Sequence, residues 1–196
     1  AAGLSDITMT RCELSNNRAH DGGGARIGDC EWALIGCTVK GNRADWGAGI
    51  VINGLIETEH YDFRDCSFLG NRAATNGGAF FISTRKSVDL ARCILSGNSA
   101  NRGGAIYAED CEELSIVNCT ASQNKAADGN FLRCRSGLRK YTGSVSITNS
   151  VIWDGMTEIT ADNVTVSVAY STVSGGVISV IDPGHTVTWK SGNLDV

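Results

Sequence analysis

Cys93-Ile94-Leu95-Ser96-Gly97-Asn98-Ser99-Ala100-Asn101-Arg102-Gly103-Gly104-Ala105-Ile106 decides the fold, because it recurs. Cysteine is followed by asparagine five residues on and alanine seven on, five times. The sets are Cys12/Asn17/Ala19, Cys37/Asn42/Ala44, Cys66/Asn71/Ala73, Cys93/Asn98/Ala100 and Cys119/Asn124/Ala126. The cysteines are spaced by 25, 29, 27 and 26 residues, a period that marks a repeat architecture.

Working outward from the cysteine, apolar residues stand five and three places before it: Ile7/Met9, Trp32/Leu34, Tyr61/Phe63, Val88/Leu90 and Leu114/Ile116. Val145/Ile147 and Val166/Val168 continue the rule before Ser150 and Ser171, where serine takes the cysteine place. Polar or small residues lie between them, and alternation at period two predicts a strand with one buried face. A second short strand begins at the cysteine, with the cysteine and the residue two places on pointing inward. A third follows the glycines. Its inward columns are Ala25, Ile50, Phe80, Ile106, Leu132 and, two residues on, Ile27, Ile52, Ile82, Ala108, Cys134. The column between them holds Arg26, Val51, Phe81, Tyr107 and Arg133, and is read as outward and exposed because arginine occupies it twice.

Three short strands per coil, repeated about seven times, predict an all-β chain wound as a parallel β-helix, a rod of about 30 Å at one strand spacing per coil. A β-sandwich would need hairpin turns, and that signal is missing until Asp182-Pro183-Gly184-His185. There, residues 177–182 and 185–189 are expected to form a terminal hairpin. Residues 1–196 are read as one domain, with repeat coils over about 5–176 and a capping segment over about 177–196. The chain starts at Ala1 without a methionine, and reads as a piece of a larger protein.

The pattern Cys-x4-Asn-x-Ala…Gly-Gly-Ala-(Ile/Phe) resembles the right-handed parallel β-helix repeats of the pectate-lyase-like superfamily. Within it, the pattern is most similar to glycine-rich repeats of large secreted or surface-anchored bacterial proteins and polymorphic outer-membrane proteins. The ending Ser171-Thr172-Val173-Ser174-Gly175-Gly176…Gly192-Asn193-Leu194-Asp195 is similar to the close of such repeats. The resemblance implies a right-handed coil and a secreted or cell-surface location. It leaves activity open, because lyases, hydrolases and adhesins share the fold.

Composition narrows the classes. Seventeen basic residues against 21 acidic give a net charge of −4, which argues against a phosphate-backbone binder and hence against a nucleic-acid partner. No apolar run reaches membrane-spanning length. Eight cysteines suggest a disulfide or metal framework, yet five occupy one register of the repeat, so they are expected to be buried, reduced and structural. Cys111 and Cys134, on neighbouring coils, are the one pair that could bond. The three histidines are scattered and no metal site is expected.

Chemistry could reside on two outer surfaces. Phe81 and Tyr107, bracketed by Arg26 and Arg133, would form an aromatic platform for sugar rings, with Trp46 nearby on the loop before Gly47. Near Trp46, six places after four of the five repeat cysteines, runs a basic stripe of Arg18, Arg43, Arg72 and Lys125. The turn before each first strand stacks acids and bases. If the chain is an enzyme, Glu59, Arg85 and Asp110 are the catalytic candidates, with calcium as the cofactor of a lyase. No Asp-Asp pair or Gly-His-Gly supports that chemistry, and otherwise no cofactor is expected. The sequence therefore reads as a secreted or cell-surface scaffold that binds a polysaccharide or partner protein along its outer face. The alternatives are a polysaccharide lyase or glycoside hydrolase acting on an acidic polymer, and a structural subunit of a larger extracellular assembly.

Overall fold

The computed structural model describes residues 6–54, 60–84, 86–137, 143–155, 157–174, 180–181 and 187–195. Among them every regular element is a strand, and the pairings between neighbouring coils are parallel. Three long sheets wrap one core, as the periodicity predicted. The first holds Ile7–Thr10, Trp32–Ile35, His60–Arg64, Ser87–Ala91, Glu113–Val117, Gly143–Thr148, Val164–Ala169 and Val187–Trp189. The second, entered one residue after each cysteine, holds Glu13–Ser15, Thr38–Lys40, Ser67–Leu69, Ile94–Ser96, Thr120–Ser122, Val151–Trp153, Thr172–Val173 and Leu194–Asp195. The third holds Ala25–Ile27, Ile50–Ile52, Phe80–Ser83, Ile106–Glu109, Leu132–Arg135, Ile159–Asp162 and Val180–Ile181.

Register follows the sequence columns residue for residue. Tyr61 pairs with Val88 and Phe63 with Leu90 in the first sheet. Phe68 pairs with Leu95 in the second, and Phe80 with Ile106 in the third. Each of these side chains is buried. Where one coil turns three phenylalanines inward, they fill its cross-section: the Phe80 ring lies 4.9 Å from Phe63 and 4.3 Å from Phe68. Such tilted and edge-on contacts are favourable beyond the area they bury.

The corners are made by residues in the left-handed region. The residue before each cysteine or serine has positive φ at Arg11, Gly36, Asp65, Arg92, Asn118, Asn149 and Tyr170. A second such column, four places after the cysteine, is Asn16, Gly41, Gly70, Gly97 and Gln123. Side chains other than glycine or asparagine cost energy there, so only some members of either column look like turn formers. After the second corner the chain makes two further strands, Arg43–Trp46 and Arg72–Asn76, which pair in a small fourth sheet. The sequence pattern did not predict them, because this ledge lacks alternation. The first glycine of the Gly-Gly pair ends the ledge. At Gly77, φ is +68° and a side chain would strike the Phe80 carbonyl, so glycine is required there.

The end of the chain departs from expectation. No antiparallel hairpin joins residues 180–181 to 187–189. Val180–Ile181 pairs in parallel with Ile159–Asp162 in the third sheet, and Val187–Trp189 pairs in parallel with Val164–Ala169 in the first. The segment read as a cap continues the winding, since its Val187 and Trp189 repeat the spacing that places Val166 and Val168. The Pro183-Gly184 turn lies outside the described residues.

Candidate functional site

Two polar ladders run through the core and explain the repeat. The asparagine at each inward corner accepts from the preceding coil and donates to the next. Asn71 Oδ1 accepts from Asn42 N at 3.0 Å and Asn42 Nδ2 at 3.0 Å, while Asn71 Nδ2 donates to Val39 O and Asn98 Oδ1. Buried amides need such partners. Asn42, Asn71, Asn98 and Asn124 are buried, and Asn17 at the open end is exposed.

The cysteines form the second ladder. Cys37 N donates to Cys66 Sγ at 3.3 Å and Cys93 N to Cys119 Sγ at 3.4 Å. Where serine or asparagine replaces cysteine the bond persists: Cys119 N to Ser150 Oγ, Ser150 N to Ser171 Oγ, and Ser171 N to Asn193 Oδ1. All eight cysteines are free thiols, including Cys111 and Cys134. Cys37, Cys66, Cys93 and Cys119 are buried as expected, whereas Cys12 is only partly covered. Burial pushes the Cys111 thiol up to about 12. Contacts with the sulfurs of Cys119 and Cys66, and then burial, hold the Cys93 thiol far above its ordinary value. The hydrogen bond with Cys93 in turn lowers the thiols of Cys66 and Cys119, yet all three are buried away from any reactant.

The asparagine ladder ends in acid. Asp154 Oδ1 accepts from Asn124 N at 2.8 Å and from Asn124 Nδ2 at 3.1 Å. Glu158 then folds beneath it, its Oε1 accepting from Asp154 N at 2.8 Å and Gly155 N at 2.6 Å. Glu158 is fully buried and its Oε2 has no hydrogen-bond partner among the described residues. Burial, and secondarily the Asp154 charge, push its carboxyl up to about 7. The cause is a shorter coil. Ser150 to Ile159 spans nine residues where Cys93 to Ile106 spans 13, so the ledge is missing and the side chains of the turn must close the corner.

The predicted aromatic platform is assembled in register but is not exposed. Val51, Phe81, Tyr107 and Arg133 pair in sequence across the third sheet, and Arg26 pairs with Val51. Phe81 and Tyr107 are stacked at 5.5 Å and 3°. Yet they are only 9% and 2% exposed and form, with Val51, a second small core outside the solenoid. Trp46 lies on Phe81 at 5.7 Å and 21°, covering it from the ledge. Arg133 is committed as well: its Nε donates to Asp128 at 2.8 Å and its Nη1 to Cys134 O at 2.7 Å. Of this set, Arg26 and Trp46 face solvent, Trp46 being 42% exposed. The expectation failed because two arginines in a column show only that it faces away from the main core, not that nothing covers it.

Of the catalytic candidates, Glu59 and Arg85 lie outside the described residues. Asp110 Oδ1 accepts from Gly137 N at 2.8 Å and from Ser136 Oγ at 3.4 Å, a turn-bracing role.

The basic stripe is aligned, with one serine interrupting it. Arg18, Arg43, Arg72, Ser99 and Lys125 pair in register along the ledge, and the four cations are exposed. Beside them lies a groove of about 700 Å³ that reaches from Arg72 past Ser99 and Lys125 to Trp153 and Asp154. Trp153, 53% exposed, stands where the short coil drops away. Sequence reading missed it, although the shortened spacing after Ser150 was visible.

A wound cross-section with stacked asparagine and cysteine ladders defines a β-helix repeat protein. Residues 65–83 and 92–109 match the Chlamydia polymorphic membrane protein repeat. These stretches carry Cys66/Asn71/Gly77-Gly78 and Cys93/Asn98/Gly103-Gly104, the corners of two successive coils. No curated protein and no solved structure matches the chain.

Proposed function

We propose that this chain is a cell-surface or outer-membrane β-helix scaffold whose work is done by side chains outside the solenoid, in contact with a polysaccharide or partner protein. The observation that carries the reading is the match of two successive coils to a membrane-protein repeat. The matched stretches carry the residues that make the ladders and corners, which explains why the repeat is kept and leaves the outward columns free to differ from coil to coil. A right-handed winding and a place in the pectate-lyase-like superfamily belong to the same proposal. They are supported by the strong preference of parallel strand-to-strand connections for that hand and by the three-sheet cross-section.

The test is exposure on the intact cell. Antibody raised against the 196-residue chain should label unpermeabilised cells that carry the full protein, and added protease should remove the label. Labelling seen only after permeabilisation would overturn the reading.

A further inference from the structure

We infer that the outer face of the second sheet, from Ile94 to Leu194, is the contact surface between two copies of this chain, packed face to face with their long axes antiparallel. This goes beyond the scaffold reading and does not depend on it.

Among the described residues seven large apolar side chains are exposed, and five of them, Ile94, Val151, Trp153, Tyr170 and Leu194, lie on this face or at its edge. The other sheets differ. The first turns His60, Asp62, Arg64, Asp89 and Glu113 outward, and on the third the ledge covers Phe81 and Tyr107. Among the described residues, the outward positions of the second sheet from Ile94 onward are apolar, threonine or serine. Its other end carries the Glu13–Lys40 ion pair at 2.9 Å. Contiguous uncharged apolar surface of this kind marks a contact site.

The order of residues says what covers it. Ile94, Thr120, Val151, Thr172 and Leu194 stand in register on successive strands, so the column reads the same in type from either end. In the next outward column Ser122 and Ser174 flank Trp153. A twofold interface needs such self-complementarity, because residue i meets j where j meets i. A half-turn about the strand carrying Val151 and Trp153 sets Ile94 on Leu194 of the second copy and Thr120 on Thr172. Val151 and Trp153 then meet their own counterparts at the axis. The small serines leave room for two indoles side by side, at the centre, where interface aromatics contribute most. Sheets packed face to face keep their strands within about 30° of each other, and both Glu13–Lys40 ends stay in water. A charged partner would bury its charges here without counterions, whereas a second copy brings none. The strip is about 19 Å long and one three-residue strand wide. That is less than the roughly 800 Å² per partner of a standard interface, so the dimer forms and parts with a dissociation constant of about 10–100 µM.

The experiment is sedimentation equilibrium of the 196-residue chain across a hundredfold concentration range around that value. The mean mass should rise toward twice that of the monomer and stop there. Trp153→Glu, which sets two carboxylates at the axis, should weaken association at least tenfold at an unchanged urea midpoint, while Arg43→Glu on the ledge should have no effect. Ile94→Lys and Leu194→Glu should each weaken it. The double variant Ile94→Lys/Leu194→Glu should recover it, because the twofold sets the new charges opposite each other. A constant monomer mass, growth past the dimer, equal loss from Arg43→Glu, or no recovery in the double variant would overturn the proposal. Binding to phosphatidylcholine vesicles that Trp153→Glu abolishes, by a chain that stays monomeric, would give the face to lipid and overturn it as well. Self-association of the purified chain and exposure on cells are separate measurements, so either can fail alone.

Discussion

At the scale of the residue, the sulfur in each coil has a second role. The cysteine fills a small inward space, and it also accepts the backbone N–H of the coil before it, as Cys119 Sγ does for Cys93 N. The serines at 150 and 171 keep that acceptor. Cys119→Ser should therefore cost less than Cys119→Ala, although alanine is the more apolar replacement. The difference is expected to be about 1–3 kcal/mol in urea unfolding, the cost of a buried donor left unpaired. An alanine variant as stable as the serine one would show that the sulfur only fills space.

Glu158 makes the second residue-scale prediction. Its folded-state carboxyl titrates at about 7, above the ordinary 4.5, so the folded chain binds the extra proton between those values. Stability must then fall as pH rises through that window. The unfolding free energy in urea should be lower at pH 8 than at pH 5, by on the order of 1 kcal/mol, and Glu158→Gln should flatten the difference. A slope unchanged in that variant would place its origin elsewhere. Glu13 and Asp65, held below their ordinary values by Lys40 and Arg92, act in the opposite sense and only at more acid pH.

At the scale of the element, the third sheet carries apolar side chains on both faces. Ile50, Phe80 and Ile106 fill the solenoid, while Val51, Phe81 and Tyr107 are covered from outside by the ledge. Tyr107→Ala should therefore destabilise the fold by about 2–4 kcal/mol, as loss of a core aromatic does. Thermal melting of that variant beside Trp153→Ala, which removes an exposed ring, checks this, and equal losses would contradict it. What the sequence made legible here was register. Period two and the recurring cysteine place each strand in its column, since a slip of one residue would turn every apolar side chain outward. Cover was not legible, because Arg43–Trp46 and Arg72–Asn76 lack alternation and pair only through the coils on either side. Nor was Trp153, which owes its exposure to residues absent from its own coil.

At the scale of the whole molecule, the repeat is read by the positions that must be repeated. Asn71, Cys66 and Gly78 bond or touch their counterparts one coil away, so they recur and announce the fold. An outward surface has no such obligation. Arg18, Arg43, Arg72 and Lys125 recur imperfectly, with Ser99 among them, and only the ledge that aligns them turns four scattered cations into one stripe.

The ladders also fix how the rod meets force. Strands lie across its axis, so tension applied through the two ends loads the bonds of one terminal coil at a time and peels the molecule like thread from a spool. Each coil released between Cys93 and Cys119 frees 26 residues, about 90 Å of extended chain. Single-molecule pulling from the termini should show a train of small, similar steps near that length, and one large rupture would contradict it. A solenoid built this way yields gradually under load and rewinds from whichever coils remain.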